Sequence, residues 1–191
     1  MAGYERPAAM SLFSWLQRAD PDRESAPLVY EAIVAAARRP ELYAELGVPD
    51  SVDGRFDLIV LHAMLVIRRL RREGPAGARL SQVVFDYMFS DFDRSLREIG
   101  VGDMSIGKHV KRMAKAFYGR AEEYERGLDG LDADLRAALQ ANLYRATAVS
   151  DAAMAGMIER LHTADKALAG VTFDEIKAGR LRWEADEASS P

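Results

Sequence analysis

The feature that most constrains the fold is a run of ten residues, Leu58 to Ile67, that is apolar apart from His62. This is too short to cross a bilayer core, which takes about 20 residues. Its apolar side chains surround the segment instead of forming one stripe, as in a helix at the centre of a core. Four arginines follow this run: Arg68, Arg69, Arg71 and Arg72. Cations at the C-terminal end of a helix interact favourably with the helix dipole. We therefore predict a buried helix over about residues 56–72.

The rest of the chain carries helix start and stop signals and almost no strand-like alternation. The predicted helices cover residues 11–19, Pro27–Arg38 with Pro27 in the first turn, Pro40–Leu46, Ser81 to before Gly100, Ser105–Leu128, Asp132 or Asp134 to Ala148, Ser150 or Asp151 to Leu168, and a short one after a Thr172–Glu175 capping box. The fold class is therefore all-α: one single-domain bundle of about eight or nine helices, mostly antiparallel. We expect the helical domain over residues 11–183, between flexible ends at 1–10 and 184–191.

Composition narrows the function classes. The chain has 191 residues and no cysteine, which removes disulfides, thiolate nucleophiles and cysteine-based zinc sites. The net charge of −4 hides an asymmetry, because residues 55–120 carry 13 basic and 7 acidic groups, whereas residues 1–54 carry −4 and residues 121–191 carry −6. A positive middle favours an anionic partner, and acidic flanks folded back over it would explain the pattern equally well.

A row of cations marks the predicted helix that starts near Ser105. Spacings of three, four and seven residues place four cations on one side of the helix: Lys108, Lys111, Arg112 and Lys115. Arg120 is a further candidate for the same contact. Such a row can bind RNA phosphates, anionic lipid headgroups or an acidic protein. A solvated surface helix explains the same pattern.

Aromatic residues and methionine crowd the preceding helix. These side chains point to a wide face of the helix, and one narrow helix–helix contact cannot bury them all. We therefore predict that they contribute to a groove for an apolar client: Phe85, Tyr87, Met88, Phe89 and Phe92. Ordinary core packing is the alternative interpretation.

No catalytic constellation emerges from the residue spacing. The run Gly102 to Lys108 resembles a phosphate-binding loop, but His109 replaces the hydroxyl residue and a helix, not a strand, precedes it. The histidines lack partners at metal-ligand spacing apart from Glu159, three residues before His162, and a single such pair is a weak signal. We predict a non-enzymatic protein with no cofactor and no metal. The alternatives are a small-ligand-binding or enzymatic helical protein with a pocket near His62 or His162, and a structural or nucleic-acid-binding module.

Two stretches of the sequence carry a recognisable pattern. The downstream one includes Phe85, Phe89 to Asp103 with its turn residues Gly100, Gly102 and Asp103, then Gly107-Lys108, Lys111-Arg112-Met113 and Phe117-Tyr118-Gly119-Arg120. The upstream one is Arg38-Arg39-Pro40, Tyr43, Leu46-Gly47-Val48-Pro49-Asp50-Ser51 and Asp53-Gly54-Arg55-Phe56. Together they resemble the ubiquinol–cytochrome c chaperone family over roughly residues 28–145.

The resemblance implies an assembly factor for the cytochrome bc1 complex. Its expected partners are newly made cytochrome b, or another membrane-protein client, and the ribosome or an anionic membrane surface, with no DNA. The sequence shows neither a transit peptide nor a membrane anchor, so we expect a bacterial-type, core-only member. It would be cytoplasmic or peripheral at the cytoplasmic face of the inner membrane.

Overall fold

The computed structural model describes residues 22–98 and 103–184, and this part of the chain contains helices and no strand. The helices are α1 (Asp22–Ala37), α2 (Pro40–Ala44), α3 (Val52–Leu70), α4 (Gly74–Glu98), α5 (Asp103–Asp129), α6 (Asp132–Leu139), α7 (Asp151–Ala169) and α8 (Phe173–Lys177). A 3-10 turn at Arg71–Glu73 follows α3, and a π-helical turn at Gln140–Tyr144 follows α6. The all-α prediction is confirmed. No helix among these residues is long and apolar enough to span a membrane.

Helix α3 forms the centre of the core, as its apolar run predicts. The Ser51 side chain accepts a hydrogen bond from the Gly54 N–H and caps its N-terminus. Every residue from Asp57 to Val66 is buried, and Leu58, Leu61 and Leu65 have no exposed surface. Helices α1, α4, α5 and α7 all pack against α3.

Several predicted helix boundaries are wrong. Helix α4 begins at Gly74 instead of Ser81, so Ser81 lies inside the helix with a buried hydroxyl. Helix α1 begins at Asp22, which places Pro27 in its interior, and α5 begins at Asp103 instead of Ser105. The predicted count of eight or nine helices is not confirmed. Six described helices have eight or more residues and two have five, while the predicted helix at residues 11–19 lies outside the described part.

The second half of the chain also packs against α3, through α5 and α7. Helices α5 and α6 approach closely at Gly127, where an added Cβ would lie 2.6 Å from the Leu135 Cα. Ser150 caps α7, and Thr172 with Glu175 forms the predicted capping box at α8. After α8 the chain brings the ring of Trp183 to 5.0 Å from the ring of His62.

The buried imidazole of His62 should make the stability of the protein pH-dependent. Its Nδ1 lies 2.8 Å from the Leu58 carbonyl oxygen, and burial lowers its pKa from 6.5 to about 4. Because the unfolded chain binds this proton more readily, the stabilisation is complete above about pH 6.5 and is lost as the pH falls towards 4. In urea unfolding across this interval, we expect the wild type to lose about 3 kcal/mol more than His62→Asn.

Asp57 also affects the pH dependence of stability in this range, with a sign opposite to that of His62. Its pKa is raised to about 6, so its contribution is present at low pH and is lost as the pH rises through 6. This contribution is common to the wild type and His62→Asn, and it cancels in their difference. Parallel pH dependence of the two proteins would contradict a neutral buried imidazole at His62.

Candidate functional site

The basic stripe, which we define as Lys108, Lys111, Arg112 and Lys115, lies on the N-terminal half of α5. All four residues are exposed. No carboxylate whose side chain the structure describes lies within ion-pair distance of the three lysine ammonium groups. Val110 and Phe117 on the same helix are buried, so α5 packs its apolar side on the body and leaves the lysines to solvent.

Arg120 does not lie with the basic stripe. Its guanidinium forms an ion pair with the carboxylate of Asp57, and its side chain is only 18% exposed. The same guanidinium lies 5.5 Å from the centre of the Phe56 ring, a cation–π contact. The structure therefore assigns Arg120 to the interior contact between α5 and α3.

Asp57 anchors a buried ion cluster that the sequence analysis did not identify. Its carboxylate has no exposed surface and contacts Arg120 on one oxygen and Arg145 on the other, the latter at 2.6 Å. Arg145 also reaches the exposed Asp53 at 2.9 Å. Desolvation raises the pKa of Asp57 to about 6, while the two guanidiniums oppose that rise, so the carboxylate is ionised at neutral pH.

The backbone at Arg145 is strained. Its φ of 55° and ψ of −118° resemble the values at Gly74, 58° and −136°, where glycine carries no Cβ penalty. Arg145 keeps this conformation while its side chain contacts Asp57 and Asp53 and its carbonyl accepts from the Gln140 amide. The cluster thus holds the turn after α6 against the start of α3.

A cluster of aromatic rings fills the contact between α4 and its neighbours. Phe85 stacks on Tyr118 at 5.1 Å, Phe89 meets Phe92 at 5.5 Å, and further edge contacts reach Tyr30, Phe56, Tyr87 and Phe117. Centroid distances of this size are typical of favourable aromatic pairs. This cluster joins α1, α3, α4 and α5.

The predicted client-groove residues divide into two groups. Met88 and Phe89 are 1% and 3% exposed and belong to the core, as the alternative interpretation expects. Phe85, Tyr87 and Phe92 are partly buried and lie at the rim of the aromatic cluster.

The two histidines of the alternative hypothesis have different surroundings. His62 is enclosed by the core and by Trp183. His162 lines an open cleft of about 660 Å³ between α6 and α7, where its Nε2 lies 2.9 Å from Asp132. Within residues 22–98 and 103–184, no group of three or more histidine, cysteine, aspartate or glutamate side chains could hold a metal ion.

The predicted turn between α4 and α5 is not described. Gly100 and Gly102 lie outside the described residues, and Asp103 is described only as the first residue of α5. One signal did point to the missed ion cluster. Asp57 is a lone carboxylate at the start of the buried run, and such a group needs a cationic partner in the core.

The fold and this site define an all-helical protein with a buried ionic contact and an outward row of cations. A family-wide sequence profile described as "Ubiquinol-cytochrome C chaperone" matches residues 44–183. The chain therefore belongs to the ubiquinol–cytochrome c chaperone family, which confirms the resemblance inferred from its sequence.

Named relatives agree with this assignment. The chain is 21% identical over 156 residues to mouse ubiquinol-cytochrome c reductase complex assembly factor 1, covering 81% of this chain and 53% of that protein. The human protein of that name is 25% identical over 111 residues, covering 58% of this chain and 37% of that protein. The chain thus spans about half or less of the length of these two relatives.

A solved structure is also similar. The crystal structure of the Cbp3 homolog from Brucella abortus has a TM-score of 0.73 and 34% sequence identity. The match covers 87% of this chain and 92% of that one. The shared fold therefore extends over nearly the whole of both chains.

Proposed function

We propose that this protein is an assembly chaperone for the ubiquinol–cytochrome c reductase complex and acts by binding instead of by catalysis. The family match over residues 44–183 carries the proposal. The mouse and human relatives are named as assembly factors of this complex, which supports the same role here. The proposed client is newly made cytochrome b or a similar apolar membrane protein.

The basic stripe is the proposed contact to a phosphate-rich surface. Ribosomal RNA and anionic lipid headgroups share this chemistry, and both occur where a membrane protein is made. Three exposed lysines without a described carboxylate partner support this role, because they remain free to bind an external anion.

The proposed client surface is the rim of the aromatic cluster, formed by Phe85, Tyr87 and Phe92. These side chains are partly exposed, and ring contacts hold them in place: Phe85 and Phe92 pack against the buried Phe89, and Tyr87 packs against Tyr30. Aromatic side chains bury a large apolar area on contact, so a small rim can hold a transmembrane segment briefly.

Capture of the client tests this proposal. We expect pulse-labelled cytochrome b to copurify with the tagged protein immediately after synthesis and to leave it during a chase. Tyr87→Glu should reduce capture by placing a charge at the rim, whereas Glu31→Gln, an exposed change on α1, should leave it unchanged. Absence of labelled cytochrome b from the wild-type protein would contradict the proposed client.

A further inference from the structure

A second surface involves the upstream stretch of the family-like pattern. An open cleft of about 700 Å³ lies between the end of α1, the short helix α2 and the start of α3. Its lining is Arg38, Pro40, Tyr43, Ala44, Asp50 and Arg55. Five of these six residues belong to that stretch, and neither the basic stripe nor the aromatic rim uses any of them.

Two guanidiniums, those of Arg38 and Arg55, make the cleft a candidate anion-binding site. Arg38 is exposed, and no carboxylate whose side chain the structure describes lies within ion-pair distance of it. Arg55 contacts Asp50 through Nε at 2.7 Å, which leaves the N–H donors of its terminal nitrogens for another acceptor. Arginine binds carboxylates with two parallel hydrogen bonds, so a partner with carboxylates fits this pair.

Tyr43 forms the apolar part of the lining. Its hydroxyl donates to the Ala37 carbonyl oxygen at 3.0 Å, which fixes the partly buried ring beside Pro40. Burial raises the pKa of Tyr43, and Arg55, Asp50 and Arg38 all act electrostatically on its hydroxyl. These three charged residues line the same cleft as the fixed ring.

We propose that this cleft binds an acidic segment of a partner polypeptide, with carboxylates on Arg38 and Arg55 and the chain against Tyr43 and Pro40. Small-molecule sites are mostly apolar and enclose most of their ligand, whereas this cleft is open and charged. Two arginines are too few cations to track a run of phosphates, so nucleic acid is a poor fit. The site does not depend on the identity of the client.

Fluorescence anisotropy with a fluorescein-labelled octapeptide of alternating glutamate and glycine tests this site. We expect saturable binding at low salt, and no binding of the matched glutamine–glycine peptide. The double variant Arg38→Gln, Arg55→Gln should weaken binding by about tenfold to a hundredfold, through loss of charge-assisted hydrogen bonds. Amide NMR shifts on peptide addition should concentrate at Tyr43, Ala44 and Arg55.

Arg72→Gln is the control, because Arg72 is exposed in the 3-10 turn after α3, and the part of α3 from Arg55 to Leu70 alone is roughly 22 Å long. It should bind the peptide like the wild type. An equal loss in both arginine variants would overturn the proposal, as would loss only when Lys108, Lys111 and Lys115 are changed to glutamate. Binding seen only after removal of residues 185–191 would assign the cleft to the chain's own acidic tail and would also overturn it.

Discussion

Replacing Lys108, Lys111 and Lys115 together with glutamate should abolish cosedimentation of the protein with a phosphate-rich surface. Each basic side chain near an anionic surface contributes about 1 kcal/mol, so loss of three weakens binding by about a hundredfold or more. The variant should remain folded because all three side chains are exposed. Cosedimentation with ribosomes and with liposomes containing phosphatidylglycerol, in separate arms, measures the effect and identifies the surface.

A matched variant controls for net charge. Arg72→Glu, Lys166→Glu and Arg180→Glu change the charge equally at exposed positions outside α5 and should keep wild-type binding. Binding in the wild type should also fall steeply with salt, as expected when cations release counterions from a phosphate surface. If the stripe variant sediments like the wild type, or if the wild type binds neither surface, the proposed role of the basic stripe is contradicted.

Replacing Asp57 with alanine should lower the free energy of unfolding by about 1–3 kcal/mol. Alanine removes the carboxylate oxygens that accept from Arg120 and Arg145, so the donors of both guanidiniums lose their partner at this buried position. The strained backbone at Arg145 also loses the contact that holds it. Urea unfolding at neutral pH measures the change.

Asp53→Ala is the matched control for Asp57→Ala. It removes the other carboxylate that Arg145 contacts, but Asp53 is 75% exposed. Exposed ion pairs contribute less than about 1 kcal/mol, so this variant should unfold nearly like the wild type. Equal effects of the two substitutions would show that the buried cluster does not hold the turn after α6.

The core was predictable where a segment is apolar on every side. The run from Leu58 to Ile67 specifies a buried helix whatever packs around it, and α3 is that helix. The start of α4 was not predictable in this way. Gly74 and Pro75 suggest a break, yet the positive φ of Gly74 ends the preceding 3-10 turn, and Pro75 is tolerated because it lies in the first turn of α4.

The candidate site also has one part that the sequence predicts and one part that it does not. Lys108, Lys111 and Lys115 share one helix, so their common exposure follows from local periodicity. Arg120 lies well round the helix from that row, and its partner Asp57 is 63 residues away in sequence. The width of the aromatic face could not decide between groove and core, because that depends on the neighbouring helices.

The most direct test of the central claim is the amount of assembled ubiquinol–cytochrome c reductase in cells that lack this gene. The intact complex on native gels and its ubiquinol–cytochrome c reductase activity give two readouts. We expect both to fall strongly after deletion and to recover with the wild-type gene or the charge-matched control, but not with the lysine-to-glutamate variant. Normal levels of the complex in the deletion strain would contradict the assembly role.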